Sequence, residues 1–139
     1  LVGSEMCIRD SMGTEDLIKL IIDCAFEVKR GLGTGFLETV YQNALIHELK
    51  LKGIMTEKEV ALNVVYKGVN VGKYRADLIV DRRVIVELKV CDTIIPAHEY
   101  QLVNYLRATG IHDGLILNFG TTPMGICRKF KDKKQVRDY

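Results

Sequence analysis

The chain is predicted to be an α/β protein with a mixed sheet of four to five strands flanked by helices. Apolar residues recur at helical spacing through residues 14 to 53, alternate between residues 60 and 90, and return to helical spacing after Pro96. A length of 139 residues gives one domain a real core and leaves too little chain for two.

Residues 1–11 are set apart. Leu1 to Ser11 has no period and looks like translated sequencing-adaptor read-through, so a non-native leader is expected there, with Met12 the native start of a single domain spanning residues 12–139. Thr14 is placed to cap a first helix, with Glu15 and Asp16 at its positive end and Ile18, Ile21, Ile22, Ala25 and Val28 as its buried stripe, and Gly31 to stop it. Leu37, Val40, Tyr41, Ala44, Leu45 and Leu49 mark a second helix that ends near Gly53. Val60, Leu62, Val64 and Tyr66 alternate as a strand before a turn at Lys67-Gly68. Val69 to Val80 and Val84 to Val90 follow as two further strands around the polar triplet Asp81-Arg82-Arg83, which makes an antiparallel meander. Pro96 opens a helix carrying Leu102, Val103, Tyr105 and Leu106 that closes at Gly110. Gly114 to Phe119 is a strand, 120–125 a loop, and Ile126 to Phe130 a short final strand before a charged tail.

Composition narrows the function classes. An apolar fraction of 47% and a charged fraction of 27% are those of a globular protein, and no apolar run nears the roughly 20 residues of a membrane span, so a cytoplasmic protein is expected. Cys7, Cys24, Cys91 and Cys127 form no CxxC pair, which leaves no zinc or redox motif and implies reduced thiols. A net charge of +2 neither announces nor forbids a nucleic-acid partner, since phosphate binding depends on where cations cluster. Lys129, Lys131, Lys133, Lys134 and Arg137 would touch nucleic acid or form a solvated tail.

The chemistry concentrates on the second hairpin. With Asp81 to Arg83 as a three-residue turn, Val80 faces Val84, Ile79 faces Ile85, Asp77 faces Glu87, and Arg75 faces Lys89. Two opposed carboxylates repel unless compensated, and a hard divalent cation such as Mg²⁺ or Mn²⁺ compensates with oxygen ligands while keeping waters. Lys89 projects from the same face as Glu87 and suits orienting a water against a phosphodiester. The same residues also suit a structural ion pair, Glu87 with Lys89 or Arg75, on a solvated face.

Asp77 followed by Glu87-Leu88-Lys89, with a carboxylate-bearing helix before them and another helix after, resembles the PD-(D/E)XK nuclease superfamily. Gly35-Phe36-Leu37-Glu38-Thr39-Val40-Tyr41 is similar to the signature of its GxxExxY group, and the likeness continues through Tyr74-Arg75-Ala76-Asp77, His98-Glu99-Tyr100-Gln101-Leu102 and Leu117-Asn118-Phe119. The resemblance implies a restriction-endonuclease-like core. It implies Asp77, Glu87 and Lys89 as catalytic, Glu38, Asp77 and Glu87 as metal ligands, and Gln101, Tyr105 and Arg75 as substrate contacts. Helix-terminus electrostatics is the other role open to Glu38, and an ordinary core contact the other role open to Tyr105. Many relatives carry His where this chain has Lys29 and Pro where it has Thr34, which puts any contribution of that His in doubt here. His98 either lines the site or serves the helix start.

The expected function is therefore divalent-metal-dependent hydrolysis of nucleic acid, DNA being the expected partner, with no membrane and a homodimer or protein partner compatible with so compact a chain. The alternative is a non-catalytic nucleic-acid or protein-interaction module that keeps the nuclease fold.

Overall fold

A computed structural model describes residues 12–131, so the expected leader and the basic residues Lys133, Lys134 and Arg137 lie outside the described residues. Helix α1 (Thr14–Leu32) and helix α2 (Glu38–Leu51) precede strands β1 (Thr56–Tyr66), β2 (Val69–Val80) and β3 (Val84–Lys89). Helix α3 (Pro96–Thr109) then crosses to β4 (Asp113–Asn118), and β5 (Gly125–Phe130) follows. The five strands lie in sequence order, antiparallel except for the parallel pair β3 and β4 that α3 connects. This is the mixed α/β sheet the sequence predicts. No helix among the described residues is long and apolar enough to cross a membrane.

Helices α1 and α2 cover one face. Leu17, Ile21, Ala25, Tyr41 and Leu45 form a continuous core with Leu78, Val86, Leu88, Leu115 and Leu117. Helix α3 covers the other face, where Leu102, Tyr105 and Leu106 meet Ile79, Ile85 and Ile116. Strand alternation divides β3 between them: Val84, Val86 and Leu88 face α1 and α2, whereas Ile85 faces α3, and Glu87 and Lys89 share its side.

Several boundaries differ from expectation for identifiable reasons. Gly13, not Thr14, precedes the first helical residue, and its carbonyl accepts the Leu17 N–H at 3.0 Å with no side-chain cap. The helix runs through Gly31 and stops at Gly33, whose φ of 72° lies in the left-handed region that only glycine enters cheaply. Leu37 sits ahead of α2 and is 78% exposed, so the buried stripe is Tyr41, Gln42, Leu45 and Leu49. Strand β1 begins at Thr56 rather than Val60 because it is an edge strand, where Thr56 to Lys58 pair through the backbone without apolar side chains.

Gly114 fixes the height of α3 above the sheet. A Cβ there would lie 2.7 Å from Leu102 Cδ1 and 3.0 Å from its Cγ, and Leu102 is fully buried with nowhere to retreat. Gly114→Val is expected to destabilise the protein by about 1–3 kcal/mol through overpacking, read as a lower midpoint in urea unfolding.

Candidate active site

Strands β2 and β3 pair at only three positions, Val80 with Val84, Ile79 with Ile85 and Leu78 with Val86, in the register a three-residue turn dictates. They then part. Strand β3 continues against β4, placing Glu87 beside Ile116 and Lys89 beside Asn118, while β2 continues against β1, placing Ala76 beside Val60 and Arg75 beside Ala61. Asp77 and Glu87 occupy the first position beyond the shared ladder. The expected pairing of Arg75 with Lys89 does not form, because by then the two strands have different partners. Tyr74 meets Tyr105 of α3, so the exposed Arg75 beside it leaves the sheet toward the opposite side.

The two acids fill the fork reciprocally. Glu87 Oε2 accepts the Asp77 N–H at 2.7 Å, and Asp77 Oδ2 accepts the Leu88 N–H at 2.8 Å. Each carboxylate thus satisfies a backbone donor on the other strand where the ladder has ended. Glu87 is 5% exposed, and burial first, then the Asp77 charge, push its carboxyl up to about 8. A side-chain hydrogen bond to Asp77 adds to this rise, while the Asp77 N–H and the Lys89 ammonium oppose it. The solvated ion pair is therefore not what forms: Glu87 is buried, and among the described residues no ion pair joins it to Lys89 or Arg75.

This donor set fits a hard divalent cation. Asp77 and Glu87 each spend one oxygen on backbone, which leaves Asp77 Oδ1 and Glu87 Oε1 beside an excess of negative charge that only a proton or a cation relieves. Glu38 is exposed in the first turn of α2, and among the described residues no third His, Cys, Asp or Glu side chain converges with the two acids, so water or substrate oxygens would complete the shell of a hard cation. The structure does bring its helix to the same end of the sheet. The Tyr41 ring, one turn later, stacks on Phe119 at 4.6 Å and 14°, and the Phe119 N–H donates to the Lys89 carbonyl at 2.8 Å.

Two supports escaped sequence reasoning. Gln42, buried on α2, donates from Nε2 to the Asp77 carbonyl at 3.0 Å and so holds the backbone from which that acid projects. Asn118, 1% exposed, accepts the Cys91 N–H at 3.1 Å and donates to the Cys91 carbonyl at 2.9 Å, fastening the segment that leaves Lys89. Both interrupt apolar stripes, which was the available signal. Gln42→Leu, close in volume, is expected to cost about 1–3 kcal/mol by stranding the Asp77 carbonyl. Catalysis by a site built on Asp77 would also slow, although Gln42 lies on the α1 and α2 side; urea unfolding and initial rates check the pair of effects.

On α3, Gln101 is half-buried and Tyr105 is buried, its ring 6.0 Å from that of Tyr74. Tyr105 is a core contact, and it also faces the acids: burial and then the charges of Glu87 and Asp77 push its hydroxyl up to about 12, so it stays a donor. His98 Nδ1 accepts the Ile95 N–H at 3.2 Å, the helix-start role. Lys29 Nζ donates to the Phe119 carbonyl at 2.6 Å, and Arg30 pairs with Glu27 on the exposed helix end.

A family model, that of the PD-(D/E)XK nuclease superfamily, matches residues 15–130. No curated protein and no solved structure matches the chain.

Proposed function

Because the chain belongs to the PD-(D/E)XK nuclease superfamily, we propose that it is a divalent-metal-dependent nuclease hydrolysing phosphodiester bonds, with DNA the expected substrate. The carrying observation is the fork: two acids clamped to each other's strands, one buried and held up to about 8, with an ammonium on the same side of β3. Asp77 and Glu87 would hold Mg²⁺ or Mn²⁺, and Glu38 adds negative charge at the same end of the sheet without converging on them. A bound cation would polarise a phosphoryl oxygen and acidify a water. Lys89 orients the attacking water and offsets charge gathering on the phosphate. Tyr105, kept protonated, donates a hydrogen bond toward the same region, and Gln101 one turn earlier offers an amide, whereas Arg75, on the opposite side of the sheet, is left out of this contact.

The test uses purified protein with labelled single- and double-stranded DNA and RNA, supplied with Mn²⁺, Mg²⁺ or a chelator. Cleavage with either ion and none with chelator is expected. Binding without cleavage under every metal condition overturns the reading in favour of a non-catalytic module on the nuclease fold.

A further inference from the structure

Strands β1 and β2 run 11 and 12 residues, whereas β3 runs 6 and shares three pairs with β2, so the β1–β2 ribbon projects past the sheet. Between this ribbon and α3 lies a cleft of about 910 Å³. Its ribbon wall carries Val65 and Val71, 62% and 58% exposed, and its helix wall carries Tyr100, 70% exposed. Tyr74 and Tyr105 close the inner end with rings 6.0 Å apart, and Tyr105 is the residue whose hydroxyl feels the paired acids. The cleft therefore ends at Tyr105, which packs on the α3 face of the sheet that Glu87 and Lys89 share.

We propose that this cleft receives unpaired bases, so that single-stranded nucleic acid is the form this chain binds; the proposal rests on the nuclease reading above. Exposed apolar and aromatic side chains are what an unstacked base packs against, since every base has a π face whatever its sequence. Asn63, Gln101 and Asn104 set amide groups along the same walls, with the donors and acceptors that base edges use once unpaired. Stacking on these walls needs base faces that a duplex keeps covered. Duplex binding depends on several cations neutralising phosphates, and the lining contains one guanidinium, Arg107, already hydrogen-bonded to Asn104. A strand laid with its bases in the cleft reaches Tyr105, on the same face of the sheet as Glu87.

Binding is measured by fluorescence anisotropy in the Glu87→Gln background, so that turnover does not intervene, with a labelled oligothymidylate and a duplex of equal length. The single strand is expected to bind about tenfold more tightly. Tyr100→Ala should lower single-strand affinity about tenfold, the loss of one stacked base, and leave duplex affinity unchanged, whereas Tyr100→Phe keeps the ring and the affinity. Equal affinity for both forms, or an indifferent Tyr100→Ala, overturns the proposal. In parallel, hydrolysis of bis(4-nitrophenyl) phosphate, too small to span the cleft, reports on the acids alone. Hydrolysis without strand preference removes the base cleft and keeps the nuclease. Tyr100-dependent strand binding with no hydrolysis of any substrate removes the nuclease and keeps the cleft.

Discussion

Glu87→Gln is expected to abolish phosphodiester cleavage while making the metal-free protein more stable than the wild type at pH 8. The amide keeps the shape and, through its oxygen, the hydrogen bond from the Asp77 N–H, so the fork is preserved. What it removes is the negative charge. In the unfolded chain the Glu87 carboxyl titrates at an ordinary 4.5, whereas folding raises it to about 8, so the folded state binds this proton more tightly. The contribution is intact below pH 4.5 and is lost as pH rises toward 8, where an ionised Glu87 sits buried against Asp77. At about 1.4 kcal/mol per unit, the amide variant should gain on the order of 4 kcal/mol at pH 8 and nothing near pH 4. Thermal or urea unfolding in chelator at the two pH values checks this. Mn²⁺ should stabilise the wild type selectively, because only the ionised pair gives it two carboxylates. Cleavage should fall on the order of 10³-fold, since the transition state loses the charge arrangement that stabilises it. A variant that unfolds like the wild type at both pH values removes the strained pair; one that still cleaves removes Glu87 from the reaction.

The hairpin shows how far a sequence carries such an argument. Turn length alone fixes Val80 opposite Val84, as observed, and period-two counting then places Asp77 opposite Glu87, one step beyond the last observed pair, where carboxylate-to-backbone hydrogen bonds replace the ladder. The same counting extends the ladder to Arg75 and Lys89, and there it fails, because β3 is drawn to β4 across a helical crossover of more than twenty residues in the chain. Local spacing contains nothing about a partner that remote. The fork is also why the acids bond to backbone rather than standing side by side above a ladder, a feature no residue pattern announces. Glu38 illustrates the other limit. A motif spacing of Gly35, Glu38 and Tyr41 places an acid on a helix end, and the structure uses Tyr41 to seat that end on Phe119 while the Glu38 carboxylate stays in solvent. Gln42, one residue further, proves to be the side chain of this helix that touches the Asp77 backbone. Helical periodicity marks it as facing inward but cannot say which strand it meets.

Lys89→Ala is expected to lower kcat by about 10²- to 10³-fold while leaving folding stability within about 1 kcal/mol. Lys89 is the last residue of β3, half-buried, and its structural bonds belong to the backbone: its carbonyl accepts the Phe119 N–H, and its strand pairing is with Asn118. Truncation therefore spares the fold. The ammonium acts through space on Glu87, holding that carboxyl lower than burial and Asp77 would otherwise push it. Its removal should let Glu87 keep its proton to higher pH, so the rising limb of residual activity moves upward. Lys89→Arg separates the two contributions. The guanidinium retains the positive charge and should hold the limb near the wild-type pH, but its planar fork does not reproduce the compact ammonium that orients one water, so kcat still falls. Initial rates across pH for the three proteins decide the matter. An alanine variant with wild-type kcat and an unmoved limb would leave Lys89 no part in the reaction, whereas a fall in kcat shared by both variants with a shift confined to alanine assigns it both the water and the electrostatic support of Glu87.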